Sequence, residues 1–396
     1  MWWCAVLVVL VACGGAPAPP DRAAAGGGLR AEAQPLGMND VSILLPLPRD
    51  PGMPVLAGLV GDGAAMVDRR WYDALVASRG DIAPRNGAAI GFDDFQVVAV
   101  RFDLCDRSVV GPCPRGSAGR LRLVLQPMYL RGGATFAHDV ALHAFYEVPA
   151  SELRDMVGAL RQLAAIQRLP MGTALGVSPS AAAGDAAYLG GLRQLVRRYA
   201  RGDNLVRLTV IGQVAESAAF AWLFRGLDRQ GDGFVPLTIP EIAATQQTAQ
   251  LAGGDTVYRV APMVDRPAGF ELAINGPRFA AASPADQAAA VAALTEVQNP
   301  TLRGTEDTQC IGCHLGTFLM ARRAAMTGIE PASLPVWYAT PAARGVHTIA
   351  REDPRVVRAF GWAGNAPAIS QRVVNDTAQA LEDIEARYPV PAHPAR

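Results

Sequence analysis

The sequence predicts an α+β protein: a mostly antiparallel sheet domain over residues 38–275, then a helical, loop-rich C-terminal segment over 276–396. Three observations point there. Segments rich in β-branched and aromatic residues cluster in the first part without the strand–helix alternation of a parallel sheet. Only two long stretches between them carry helical spacing. Beyond residue 282 strong helix starts alternate with Gly- and Pro-rich loops, and no strong strand signal remains. Half of the 396 residues are hydrophobic, enough to bury a substantial core.

The elements follow in order. "FQVVAVRFDL" (95–104), "GRLRLVLQPMYL" (119–130) and "VALHAFYEV" (140–148) read as strands. "SELRDMVGALRQLAAIQR" reads as a helix, with Ser151 as N-cap and Leu153, Met156, Val157, Leu160 and Leu163 on one face. "DAAYLGGLRQLVRRYA" is a second helix, weakened by Gly190 and Gly191. "NLVRLTVIGQV", "AFAWLFRGLD" and "VYRVAPMV" return to strand character. In "LDRQGDGFVP" Asp228, Gln230 and Asp232 mimic the start of a calcium loop, but the twelfth position is Ile239 and not Glu, so a hairpin turn is the better reading. Ser283 and Pro284 open a helix at "SPADQAAAVAALTEV". "SQRVVNDTAQALEDIEARY" is the last helix, and "GIEPASLP", "ATPAARG" and "GWAGNAPA" read as loops.

Formal net charge is zero, and all 36 basic residues are arginine. A neutral balance with scattered Arg argues against a nucleic-acid partner and offers no polybasic membrane patch. The N-terminus supplies a different membrane signal. Residues Trp2 to Ala12 are almost wholly apolar, too few to span a bilayer and of the length of a signal-peptide core. The run ends Leu10-Val11-Ala12-Cys13, which resembles a bacterial lipobox. That resemblance implies a signal peptide over 1–12, lipidation of Cys13, and a lipid anchor facing the periplasm from the inner or outer membrane. The absence of Lys or Arg before the apolar run departs from the pattern. Residues 13–37, rich in Gly, Ala and Pro, read as a flexible tether. An exported chain meets an oxidising compartment, so Cys105 and Cys113, flanking a Gly-Pro turn, are expected to form a disulfide.

Two cysteines remain, in "TQCIGCHLG" (308–316). On its own C-x-x-C-H is compatible with a covalent haem, a zinc set completed by His347, a redox dithiol or a plain disulfide. The stretch resembles the haem-attachment site of c-type cytochromes. That resemblance covers five residues and the export context. It implies one covalent haem c, with Cys310 and Cys313 as thioether residues and His314 as an axial iron ligand. No methionine follows Met326, which puts the usual distal Met in doubt. Met320 and Met326 lie on the same helix as His314, so His347 is the favoured second metal ligand. His393 sits in the tail, and His138 and His143 would have to reach across from the first domain. Arg322, Arg323 and Arg344 are candidates for pairing with propionates, and Trp337, Tyr338 and Trp362 for walling the pocket.

The function expected is single-electron transfer at the bacterial envelope, with a redox partner protein that the sequence does not identify. The alternatives are a haem enzyme or sensor with an open iron position for peroxide or a gas, and a non-haem structural or binding lipoprotein with a zinc or disulfide site. The sequence contains no G-x-S-x-G, H-E-x-x-H or complete P-loop motif.

Overall fold

Alternating residues in the strand segments fall into two sets, and the fold follows from how each set is covered. The computed structural model describes residues 35–53, 55–56, 66–79, 90–104, 117–170, 172–213, 221–252, 257–264, 269–305, 307–339 and 357–390. Cys13, Cys105, Cys113, Arg344, His347 and His393, with the signal and most of the tether, lie outside the described residues.

The protein is α+β, with an antiparallel sheet in the N-terminal part and helices toward the C-terminus. The strands are β1 (Ser42–Leu44), β2 (Phe95–Leu104), β3 (Ser117–Arg131), β4 (Ala134–Ala137), β5 (Ala141–Pro149), β6 (Leu205–Gln213), β7 (Ala221–Gln230), β8 (Gly233–Pro236), β9 (Gln246–Ala252) and β10 (Val257–Ala261). Their order is β1-β2-β3-β5-β6-β7-β9-β10, with β4 paired to β3 and β8 to β7. The β7–β8 turn is Gly231-Asp232, flanked by the Gln230–Gly233 pair, as the hairpin reading of that stretch expects. At the two ends of the sheet, Ser178 N–H donates to the Leu44 carbonyl (2.8 Å) and Tyr258 N–H to the Ile274 carbonyl (2.9 Å).

Among the described residues six longer helices join the sheet: α1 (Arg69–Arg79), α2 (Leu153–Gln167), α3 (Ala186–Tyr199), α4 (Pro284–Val297), α5 (Cys310–Thr327) and α6 (Gln371–Arg387). Three of these starts carry side-chain caps, that at Ser283 as expected. Ser283 Oγ accepts from Asp286 N–H, Ser370 Oγ from Val373 N–H, and Asp185 from Ala187 and Tyr188 N–H. Helix α2 differs: its N-cap is Glu152, which makes no side-chain cap bond, and Ser151 lies one residue outside. None of the helices among the described residues is long and apolar enough to cross a membrane.

One set of strand residues is apolar. Leu121, Leu123 and Leu125 of β3, Leu142, Ala144 and Tyr146 of β5, and Leu208 and Val210 of β6 join Leu153, Met156 and Leu160 of α2 and Tyr188, Leu192 and Leu195 of α3 in one core. That core also takes in Val373, Val374, Leu381 and Ile384 of α6. A second core joins Trp222 and Phe224 of β7 and Tyr258 of β10 to Val291 and Leu294 of α4 and Ile311, Leu315 and Leu319 of α5. Each core therefore draws on chain from both sides of residue 275.

The stretch "GWAGNAPA", expected to be a loop, forms a hairpin of β11 (Phe360–Ala363) and β12 (Ala366–Ile369). Its two-residue turn needs a left-handed backbone, which Gly364 supplies at φ +63°. Gln126 of β3 clamps it, accepting from Trp362 N–H at 2.8 Å and donating to the Trp362 carbonyl at 3.0 Å.

Candidate functional site: a cavity beneath the CIGCH helix

Cys310 is the first residue of α5, so the motif is helical from its start. Helical spacing places Cys310, Cys313 and His314 on one side and sends Ile311, Leu315 and Leu319 into the second core. The helix start is held from the sheet. Gln247 of β9 accepts from Ile311 N–H at 3.0 Å and donates to Gln309 Oε1 at 2.7 Å, satisfying one of the helix's unpaired amides.

Cys310, Cys313 and His314 all line a cavity of about 150 Å³. That is about ten times the space a single water needs. A flat ligand needs little by this measure. A slot about 3.5 Å thick keeps only about 0.7 Å for water centres once about 1.4 Å is taken from each wall.

The opposite wall is the second set of strand residues. The register aligns Arg101 of β2 with Arg122 of β3, Phe145 of β5 and Arg207 of β6. The next row aligns Val124, His143 and Thr209. All seven of these line the cavity, together with Ile211, Phe224, Phe360 and Val373. Arg372 and Asp376, from the first turns of α6, complete it.

The charges here are tied, most of them in burial. Asp376 meets Arg101 at 3.3 Å and Arg372 at 3.0 Å, all three side chains at most 4% exposed. Arg101 also pairs with Asp103 at 2.8 Å, and Arg207 with Asp228 at 2.5 Å. Arg372 donates to the Val297 and Arg303 carbonyls, both at 2.6 Å, which sets its charge at the C-terminal end of α4 where a cation is favoured. Arg122 lies 4.7 Å over the Phe145 ring.

The His314 ring is oriented by a backbone oxygen: Nδ1 lies 2.7 Å from the Val357 carbonyl. Burial first, and then Arg358 and Arg122, outweigh that bond and lower the ring's pKa to about 4. His314 is thus neutral near pH 7. A carbonyl only accepts, so the proton sits on Nδ1 and the Nε2 lone pair is left for a metal. Burial, followed by His314, Arg358 and Arg122, pushes His143 well below its ordinary value too. Burial lifts the Cys310 thiol to about 12, and raises Cys313 as well. Both cysteines are free. Thiols raised by burial are the reverse of the depressed thiolates that a redox dithiol uses. Among the described residues no three His, Cys, Asp or Glu side chains converge on a metal position.

The other sequence candidates are placed elsewhere. Met320 is buried in the second core, and Met326 is 46% exposed with its sulfur toward Arg323. Arg322 is exposed. Arg323 is fully buried, donating to the Ala273 carbonyl and lying over Phe279. Trp337 packs on the second core, and Tyr338 and Trp362 belong to the first; none lines the cavity. His138 stacks on Tyr129, also away from it. The cavity's arginines instead come from strands and from α6. Their signal was present in the sequence as the polar members of the alternation, Arg122 in β3, His143 in β5, and Arg207 and Thr209 in β6. Comparison with protein-family models gives no match, and neither the curated proteins nor the solved structures provide one.

The donor set fits a haem. Two neutral sulfurs and an open imidazole nitrogen face one cavity. Its walls are apolar at Val124, Ile211, Phe224 and Phe360 and cationic at Arg101, Arg122, Arg207 and Arg372, matching a flat apolar ring with carboxylate arms.

Proposed function

We propose that the protein holds one covalent haem c and transfers single electrons at the bacterial envelope, anchored there by lipid on Cys13. The observation that carries this reading is the His314 ring, fixed through Nδ1 by the Val357 carbonyl, in a C-x-x-C-H motif whose two thiols line the same cavity. Metal-ligating histidines are characteristically held this way through their second nitrogen.

In this reading Cys310 and Cys313 would hold the haem through thioether links and His314 would bind its iron. Thioethers carry no charge, so burying them avoids the desolvation cost that thiolates would incur. The haem supplies a one-electron iron couple. The chain would exclude water with Val124, Ile211 and Phe224, hold the His314 ring through the Val357 carbonyl, and offer arginines to the propionates. A redox partner protein delivers or removes the electron.

The test is expression with haem-maturation machinery, followed by a pyridine haemochrome spectrum of the denatured chain. A c-type band that survives acid–acetone extraction, and is lost in the Cys310→Ala, Cys313→Ala double variant, is the expected outcome. A colourless wild-type protein under those conditions overturns the reading. Zinc analysis and thiol counting would then address the structural lipoprotein alternative.

A further inference from the structure

Resting on the haem reading, we infer that His143 is the second axial ligand, facing His314 across the cavity, and that the iron has no open position. His143 stands on β5, in the central row of the sheet face that forms the cavity wall. Its ring and that of His314 are 6.1 Å apart between centroids and nearly parallel, at 13°. Two imidazoles on opposite sides of one metal, each with a metal–nitrogen distance of about 2.0–2.1 Å, set their centroids about 6 Å apart. The observed spacing matches that of a shared metal.

Among the described residues the His143 ring makes no hydrogen bond; its neighbour is His314. The ring is half-buried and lines the cavity, where a metal bond would take the place of water at its nitrogen. The competing donors among the described residues are out of place. No methionine lines the cavity, and His143 and His314 are its two histidines. A neutral nitrogen ligand on each side makes a low-spin carrier of lower potential than His/Met ligation. That outcome selects electron transfer over the peroxide or gas chemistry of a vacant position.

The near-infrared magnetic circular dichroism of the ferric wild-type holoprotein needs no substitution and distinguishes bis-histidine from histidine–methionine or water ligation. A bis-histidine signature is expected; any other overturns the inference. The variants His143→Ala and His347→Ala then assign the ligand. His143→Ala is expected to keep its covalent haem by pyridine haemochrome, to turn high-spin, to bind CO, and to recover a low-spin spectrum on adding imidazole. A His143→Ala holoprotein that stays low-spin and refuses CO overturns the inference while leaving the haem reading intact, as does loss of the low-spin form in His347→Ala alone. Should His143→Ala fail to fold, His143→Gln, close in size, is read by the same spectra. A wild type without haem overturns both.

Discussion

Asp40 shows how a single buried group sets a pH dependence. Its two oxygens accept from Gly37 N–H at 2.8 Å and Gln167 Nε2 at 3.1 Å. Burial outweighs both bonds and lifts the carboxyl from 3.8 to about 6. The native state therefore holds this proton more tightly than the unfolded chain does. Stability from this group is full below pH 3.8 and is lost as pH rises toward 6. The loss amounts to about 3 kcal/mol by neutral pH. In Asp40→Asn the urea midpoint, compared with wild type at pH 4 and pH 7.5, is expected to shift in favour of the variant at the higher pH. A difference that does not change with pH would show that Asp40 stays ionised in the native state. Residues differ in how far the sequence reveals them. Cys310, Cys313 and His314 are legible because their chemistry lies in five consecutive residues. The placement of His143 beside His314 is not, because the two lie far apart along the chain, and a lone strand histidine reads as surface or core. Arg122 and Arg207 look like solvent-facing members of half-buried strands. They are instead cavity residues, because the C-terminal third covers the face that alternation assigns to water.

At the scale of elements, the approach of α5 to α4 depends on the small residues inside the CIGCH motif and just after it. A Cβ on Gly316 would meet Gln298 Nε2 at 2.6 Å. That amide cannot simply swing away, because it donates to the Leu294 carbonyl while Gln298 Oε1 accepts from Thr317 Oγ1 at 2.7 Å. Gly316→Ala gains about 1 kcal/mol of helix propensity. It is expected to lose about 1–3 kcal/mol to overpacking. A net fall in thermal midpoint by circular dichroism is the anticipated result; a rise would mean that the two helices have slack. Helix starts at Ser283 and Ser370 were legible because their caps are local chemistry. The β11–β12 hairpin was not. Strands of four residues around Gly364-Asn365, with Pro367 inside, carry almost no periodic signal, and Gln126 and the first core hold them in place.

Over the whole molecule, the Arg101–Asp376–Arg372 group ties β2 to α6 and α6 to the end of α4. Asp376→Ala would leave two guanidiniums buried with fewer compensating charges, at a cost of about 3–5 kcal/mol. Chemical denaturation should show that loss; a change under 1 kcal/mol would mean that water replaces the carboxylate. The sheet-then-helix order of the fold was readable from the sequence because strand and helix periods differ. The sharing of both cores across residue 275 was not, since periodicity tells which face is apolar and not what covers it. The two ends of the sheet carry a last consequence. An unmatched row of strand amides and carbonyls is a template on which another chain can add itself, the usual route to ordered aggregates. Here Ser178 already occupies the Leu44 carbonyl, and Ile274 already takes the Tyr258 amide. Copies crowded together at high density would find both of those docking points taken by the protein's own chain.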